Sequence, residues 1–488
     1  MSDGKAGARA ALRRTKIVAT IGPATSSPEA ILRLAQAGMD VVRLNFSYGD
    51  HALYTDVIAR LRAAATAVGR PLAILQDLSG PKLRVGELPG GEVMLNSGDA
   101  VVLSAADPPA TGHLPLPVPE LPRALQSGQR LLLSDGRLEL RVLGTTDTEI
   151  RCEVTAGGLL KSHQGVNVLD VALPIRAVTG KDLADLEFGL EHEVDWVAMS
   201  FVRDAEDLRP LRERMLARGR TAALMAKIEK HEAIDHLDEI IAYADGVMVA
   251  RGDLGIEVAL DEVPILQKQI IARCNAAGKP VITATQMLES MLTSPRPTRA
   301  EVSDVANAVL DGTDAVMLSG ETATGQYPVE AVTVMARVIL QAEAAFDHHA
   351  YLERSRITPC ESITEAIAEA TCALAEDLCA QAILTPTSSG QTARMVARHR
   401  PQAPIVAVTD REATQRQLVL SWGVFPLLAP RGGHTDELIT TAISKAAEAG
   451  FVAKGDRVIV TAGVPSGAPG RTNLIKVEVV GDRVGGQT

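Results

Sequence analysis

Short runs of consecutive apolar residues, each closed by a burst of polar chemistry, recur along the chain. They lie at Lys16–Thr20, Val41–Leu44, Leu72–Leu75, Trp196–Met199, Ala222–Ala226, Gly246–Ala250, Val281–Thr283 and Ala315–Leu318. Runs this short, without polar alternation, predict strands buried on both faces. Helical spacing fills most of the gaps, as in Pro28–Ala37, Leu53–Val68 and Glu262–Ala277. Gly38, Gly69, Gly219 and Gly278 stand where helices are capped at their C-termini. Eight such units predict a (β/α)8 TIM barrel.

The pattern changes twice. Between Pro81 and Pro174, far more chain than one crossover needs, the text turns to short alternating runs such as EVMLNSGDAVVLS and QRLLLSDGRLELRVLG. That predicts a small inserted β-barrel lid domain over the barrel mouth. After Phe346 a helix (Ile363–Leu378), a strand (Ala382–Leu384), a polar loop and a helix (Ala393–Arg398) follow. Further strands at Ile405–Val408, Val424–Leu428 and Val458–Val460 make this a second α/β domain. The expected division is a loose arm over 1–14, the barrel over 15–81 and 175–345, the lid over 82–174, and a C-terminal α/β domain over 346–488.

Composition narrows the function classes. A hydrophobic fraction of 46% with 22% charged residues is that of a globular protein with several cores. The net charge of −11 argues against a general nucleic-acid binder, so any attraction for an anion must come from local Lys, Arg or metal. No apolar run is long enough to span a bilayer, and no signal peptide is recognisable, so no membrane partner is expected. The five cysteines are scattered and odd in number, which predicts free thiols in a reducing cytoplasm. Two familiar patterns fail. His231-Glu232 with His236 is one residue too long for the zinc-protease H-E-x-x-H, and no G-x-x-x-x-G-K-[ST] loop occurs.

Polar chemistry closes every barrel run: Gly22-Pro23, Arg43/Asn45/Ser47, Gln76-Asp77, Ser200, Lys227/Glu229, Arg251/Asp253, Thr285-Gln286 and Ser319-Gly320-Glu321. A barrel built for stability alone has no use for such groups at every C-terminal end, so that face is the expected active site. The stretch LMAKIEKHEAIDHLDEIIAYADGVMVARGDLGIE reads as strand, helix, strand, and brings Lys227, Glu229 and Asp253 to one rim. Two carboxylates and an ammonium there suggest a divalent metal on Glu229 and Asp253, with Lys227 facing an anion bound to it. In the C-terminal domain the TPTSSGQT loop, Thr385–Thr392, opens onto a helix N-terminus and offers hydroxyls to a phosphate.

The strings TKIVATIGPAT, VVRLNFSYGD, DLSGPKLRVG, AKIEKHEAI, GVMVARGDLGIE, KPVITATQMLESM and PRPTRAEVSDVANAVLDGTDAVMLSGETATGQYP occur in order. From Thr15 to its C-terminus the chain resembles the pyruvate kinase family. The resemblance implies Mg²⁺-dependent phosphoryl transfer from phosphoenolpyruvate to ADP, giving pyruvate and ATP, with Mn²⁺ as a possible substitute. It puts the metal on Glu229 and Asp253, the phosphoryl-neutralising ammonium at Lys227, and the substrate phosphate on Arg43. Substrate contacts are implied at Ser200, Gly252, Asp253 and Thr285, with Thr285 in the region that protonates the enolate. Arg84 and Lys161 are assigned to the nucleotide side, because His163 and Gln164 stand where relatives often carry lysines. Tyr48 and Lys230 replace a frequent His and Asn. In K⁺-requiring relatives Asn45, Ser47 and Asp77 would coordinate that ion. Here Leu78, Lys82 and Val85 replace Thr, Glu and Thr, which implies that K⁺ is not required and that the Lys82 ammonium takes its place. A sugar-phosphate or nucleotide effector is implied at Thr385, Ser388, Ser389, Gly390 and Thr392, acting through a homotetramer.

Overall fold

The computed structural model describes residues 12–134, 136–169, 177–219, 222–355, 360–430, 434–464 and 472–481. Most of the arm expected over 1–14 lies outside them, as does the lid-to-barrel junction expected at 174–175. Strands β1 (Lys16–Thr20), β2 (Val41–Asn45) and β3 (Ala73–Leu78) precede the lid. The lid holds β4 (Glu92–Leu95), β5 (Ala100–Ser104), β6 (Leu114–Pro115), β7 (Arg130–Leu133), β8 (Leu138–Thr145), β9 (Glu149–Ala156), β10 (Gly158–Lys161) and β11 (Val166–Val168). The barrel resumes with β12 (Trp196–Met199), β13 (Ala223–Ile228), β14 (Gly246–Ala250), β15 (Val281–Ala284) and β16 (Ala315–Leu318). Among the described residues these barrel strands close in the order β1-β16-β15-β14-β13-β12-β3-β2, all parallel.

The period of two sorts their side chains into layers. Val18, Val41, Leu75, Ala198, Met225 and Met248 point inward and fill the barrel. Their neighbours Ile17, Val42, Ile74, Val197, Leu224 and Val247 point outward beneath the helices. One step further along each strand, the next inward positions are Thr20, Arg43, Asp77, Ser200 and Lys227. The same alternation that packs the core therefore stacks the polar groups as its top layer.

The helices obey local rules. In the helix Pro28–Ala37, the Ser27 hydroxyl accepts from the Ala30 N–H, and Pro28 takes a first-turn position that needs no donor. Ile31 and Leu34 turn to the core, each burial contributing about 1.5–3 kcal/mol. Gly38 ends it at φ 121°, where a side chain would be strained. The run expected as one helix around Ile234 and Ile241 is two, Glu232–Asp235 and Leu237–Tyr243, separated at His236.

The lid combines a six-stranded sheet, β11-β7-β8-β9-β5-β6, with the two-stranded β10-β4. Its core is almost wholly Leu and Val, among them Leu103, Leu131, Leu140 and Val154. The C-terminal sheet is β19-β18-β17-β20-β21, built from β17 (Ala382–Pro386), β18 (Ile405–Thr409), β19 (Val424–Leu428), β20 (Arg457–Ala462) and the antiparallel edge β21 (Leu474–Val479). This domain closes the barrel from below, with Val419 and Leu420 joining the interior cluster. There Arg400, its side chain 1% exposed, donates to Asp314 Oδ2 at 3.0 Å, Asn275 Oδ1 at 2.6 Å and the Gly312 carbonyl at 2.7 Å. Asp314 Oδ1 accepts from the Trp422 N–H at 2.9 Å. The cysteines are free, with Cys152, Cys274 and Cys372 buried. Among the described residues no helix is long and apolar enough to cross a membrane.

Candidate active site

Asp77 is the hub of the top layer, buried to 1% exposure. Its Oδ2 accepts from Arg43 Nε at 2.6 Å, and its Oδ1 lies 3.2 Å from Lys227 Nζ. Lys227 also reaches Glu229 Oε1 at 2.9 Å and donates to Ser200 Oγ at 2.7 Å. The Glu229 Oε2 accepts from the Phe201 N–H at 2.7 Å. Phe201 has φ 57°, a left-handed conformation that costs a bulky residue about 1–3 kcal/mol and aims its amide at this carboxylate. Ser200 Oγ donates in turn to the Leu78 carbonyl at 2.8 Å. Arg43 Nη1 donates to Thr20 Oγ1 at 3.2 Å, and no described residue takes its Nη2.

Charge governs this cluster. Burial opposes ionisation of Asp77, but Lys227 and Arg43 outweigh it and hold the carboxyl below its ordinary value. Burial likewise opposes the Lys227 charge, and Asp77 and Glu229 overcome it, pushing the ammonium up to about 12. For Glu229 burial prevails: its carboxyl is raised against the pull of Lys227, and the charge of Asp253 adds to the push. Asp253 lies in the first turn of the helix Arg251–Glu257, half-buried. Two mutually repelling carboxylates at a strand end, one of them buried, are a donor set that a hard divalent cation relieves, and Mg²⁺ commonly uses one or two carboxylates plus substrate oxygens. Glu229 and Asp253 fit such an ion.

Thr285 stands across from them with φ 71°. Its hydroxyl accepts from the Gly252 N–H at 2.7 Å and donates to the Ala284 carbonyl at 2.6 Å. Arg251 fixes this corner. Its Nε and Nη2 donate to the Ala284 and Thr285 carbonyls at 3.1 and 2.7 Å, and its Nη1 meets Asp304 at 2.7 Å. The sequence marked Arg251 as a polar strand end without assigning it this positioning role.

Other expected residues are more scattered. Asn45 Oδ1 accepts from the Ser47 N–H at 3.2 Å, and Asn45 lies opposite Asp77 in the β2–β3 register. Leu78 is buried. Lys82 lines a cavity with Arg203, Lys230, Glu232 and Glu257, and no described contact joins its ammonium to Asn45, Ser47 or Asp77. The cations beside Asp77 are Arg43 and Lys227 instead. Arg84 donates to the His163 carbonyl at 2.9 Å and lies 5.9 Å from the Tyr48 ring centroid, while Lys161 is exposed 3.9 Å from Glu92. Gln76, expected at the rim, turns outward and donates to the Asp185 carbonyl at 2.6 Å.

In the C-terminal loop, Ser388 and Ser389 are half-buried. Thr392 is buried, and its hydroxyl is shared with Thr472 at 2.8 Å. The Thr385 hydroxyl is buried with no hydrogen-bond partner among the described residues. Gly390 has φ 79°, and a Cβ there would stand 2.8 Å from Leu418, so the turn requires glycine.

Comparison with known proteins bears on these groups together. Residues 12–332 match the family description "Pyruvate kinase, barrel domain", and residues 365–478 match "Pyruvate kinase, alpha/beta domain". The chain is 47% identical over 474 residues to the pyruvate kinase of Geobacillus stearothermophilus, covering 96% of this chain and 81% of that protein. It is 49% identical over 473 residues to pyruvate kinase 2 of a Synechocystis strain, covering 96% and 79%. A crystal structure of a pyruvate kinase from Cryptosporidium parvum superposes with a TM-score of 0.90 at 36% identity, covering 96% of both chains.

Proposed function

The chain belongs to the pyruvate kinase family, whose reaction moves the phosphoryl group of phosphoenolpyruvate to ADP, and from that premise we propose how its own residues carry the transfer. The observation that carries the proposal is the gathering of Arg43, Lys227 and Glu229 around Asp77 in the barrel's top layer. Phosphoryl transfer asks for in-line positioning and cancellation of negative charge, with little covalent chemistry by the protein. Asp77 orients Arg43 through Nε, leaving Nη2 for a phosphate oxygen. Lys227 places its charge between the phosphoryl group and the substrate oxygen on which charge develops. Its hydrogen to Glu229 is the one that can turn to substrate once Glu229 takes up a cation. The Gly252 N–H and the Thr285 hydroxyl, which now serve each other and the Ala284 carbonyl, would turn with the Asp253 N–H to the substrate carboxylate. Glu229 and Asp253 would hold a Mg²⁺ ion, which when bound would supply further charge neutralisation. Arg84 and Lys161 serve the nucleotide, and the lid domain excludes water over the mouth.

We further assign this enzyme to K⁺ independence. Both Asp77 oxygens already face cations, the Leu78 side chain offers no oxygen, and its carbonyl serves Ser200. Lys82, at the root of the lid, adds positive charge where relatives carry Glu. Pyruvate formed from phosphoenolpyruvate and ADP should proceed at rates within about twofold in Na⁺, K⁺ or tetramethylammonium at equal ionic strength. Lys82→Glu should depress the rate and make the remainder respond to K⁺. Strong activation of the unaltered enzyme by K⁺ over Na⁺ would sink this reading.

The effector reading rests on the C-terminal sheet. The Thr385–Thr392 loop leaves β17 where β18 pairs on one side and β20 on the other, the switch point at which α/β sheets bind ligands. Ser388, Ser389 and Gly390 line it, with Thr385 and Thr392 as inner supports. A sugar phosphate or nucleotide bound there in a homotetramer should lower the phosphoenolpyruvate concentration for half-saturation, and Ser389→Glu should abolish the response. Saturation curves unmoved by a panel of such phosphates would count against the site. A cytoplasmic setting accords with the free cysteines.

A further inference from the structure

His231-Glu232, which lacks a partner histidine at metalloprotease spacing, acquires a different third member in the fold. After β13 the chain turns through Lys230 into the helix Glu232–Asp235, while neighbouring β14 leads into the helix that ends at Glu257. One ligand atom from each of His231, Glu232 and Glu257 lies within 4.8 Å of the others. His231 Nδ1 stands 3.2 Å from Glu232 Oε2 and 3.6 Å from Glu257 Oε2. Tetrahedral ligands at about 2.0–2.2 Å from an ion are separated by about 3.3–3.6 Å. The two spacings from His231 are those of a coordination sphere, and the two carboxylates lie within 4.8 Å of each other.

An independent observation points the same way. The Glu257 side chain is 1% exposed, and its Oε2, like the Oε2 of Glu232, is buried with no hydrogen-bond donor among the described residues. A buried carboxylate oxygen without a donor is costly. Lys230 answers only the other oxygen, Oε1, at 2.8 Å. Beside the cluster opens a cavity of about 70 Å³ lined by Lys82, Phe201, Arg203, Lys230, Glu232 and Glu257. It has room for about two waters to complete a coordination shell.

We propose that His231, Glu232 and Glu257 hold a second divalent cation, separate from the one on Glu229 and Asp253. One imidazole and two carboxylates suit Zn²⁺, Co²⁺ or Mn²⁺ better than the all-oxygen preference of Mg²⁺. Lys230 sets the affinity, because its ammonium occupies one oxygen of the same carboxylate.

Co²⁺ titrated into the full chain in excess Mg²⁺ tests this by calorimetry and visible absorption. The expected result is a single bound Co²⁺ per chain that persists in Glu229→Gln. It should weaken by more than about tenfold in His231→Ala and Glu257→Gln, with the cobalt absorption changing on loss of the imidazole. Lys230→Asn removes no ligand and should tighten binding, which keeps the test decisive if a ligand variant folds poorly. Co²⁺ uptake that Glu229→Gln abolishes, uptake indifferent to His231→Ala and Lys230→Asn, or no uptake at all would overturn the site.

Discussion

Lys227→Met is expected to lower kcat by about three to five orders of magnitude, the range seen when a cation facing a transferring phosphoryl group is removed. That corresponds to about 4–7 kcal/mol of transition-state stabilisation. The size follows from burial: the ammonium is in a water-poor layer where a fixed charge acts at full strength and needs no reorganisation. The fold should survive, because Asp77 keeps Arg43 and Glu229 keeps the Phe201 N–H. Steady-state turnover with a melting curve on the same sample separates the two effects. A variant within about tenfold of the parent rate would remove Lys227 from the chemistry.

Glu229→Gln should move activity and stability in opposite directions. Turnover should fall by about three orders of magnitude or more, since the proposed metal site would lose a hard anionic ligand. In metal-free protein the melting temperature should stay level or rise. The sign follows from the raised Glu229 carboxyl: above the ordinary carboxylate range, ionisation is harder in the folded state than in the unfolded chain, which costs the fold stability. Below the ordinary carboxylate range both states are protonated, so the difference between variant and parent should vanish in acid. Melts in a chelator at several pH values read this directly. A large drop in melting temperature near neutral pH would show that Glu229 is held for structure instead.

The barrel was legible because its strands are buried on both faces, so Trp196–Met199 and Gly246–Ala250 appear as unbroken apolar words with the bounds found in the structure. The strand carrying Lys227 was harder to delimit. It runs on to Ile228, because a barrel strand can carry a charged residue in its inward layer once other strands supply partners. Those partners come from distant segments, which is why Asp77 read as a cation ligand and not as the anchor of Arg43 and Lys227. The edge strand β21 gives no clear apolar run for a different reason: it is half-buried and antiparallel, without the apolar density of its neighbours. In the Thr385–Thr392 loop, hydroxyl residues alone could not say which face inward. Burial makes Thr385 and Thr392 internal, while Ser388 and Ser389 stay within reach of solvent. Glu257 carried no signal near His231, since only the pairing of β13 with β14 makes them neighbours.

The joint beneath the barrel also limits how such a chain can be recombined. Arg400 belongs to the C-terminal domain, yet its charge is answered at the foot of β16 by Asp314, with Asn275 and Gly312 completing the socket. Removing one side would strand a buried ion, at a typical cost of about 3–5 kcal/mol. The C-terminal domain is thus no interchangeable cassette: a donor domain grafted onto this barrel would have to bring its own arginine plug, and a barrel accepting this domain would need the matching acidic socket.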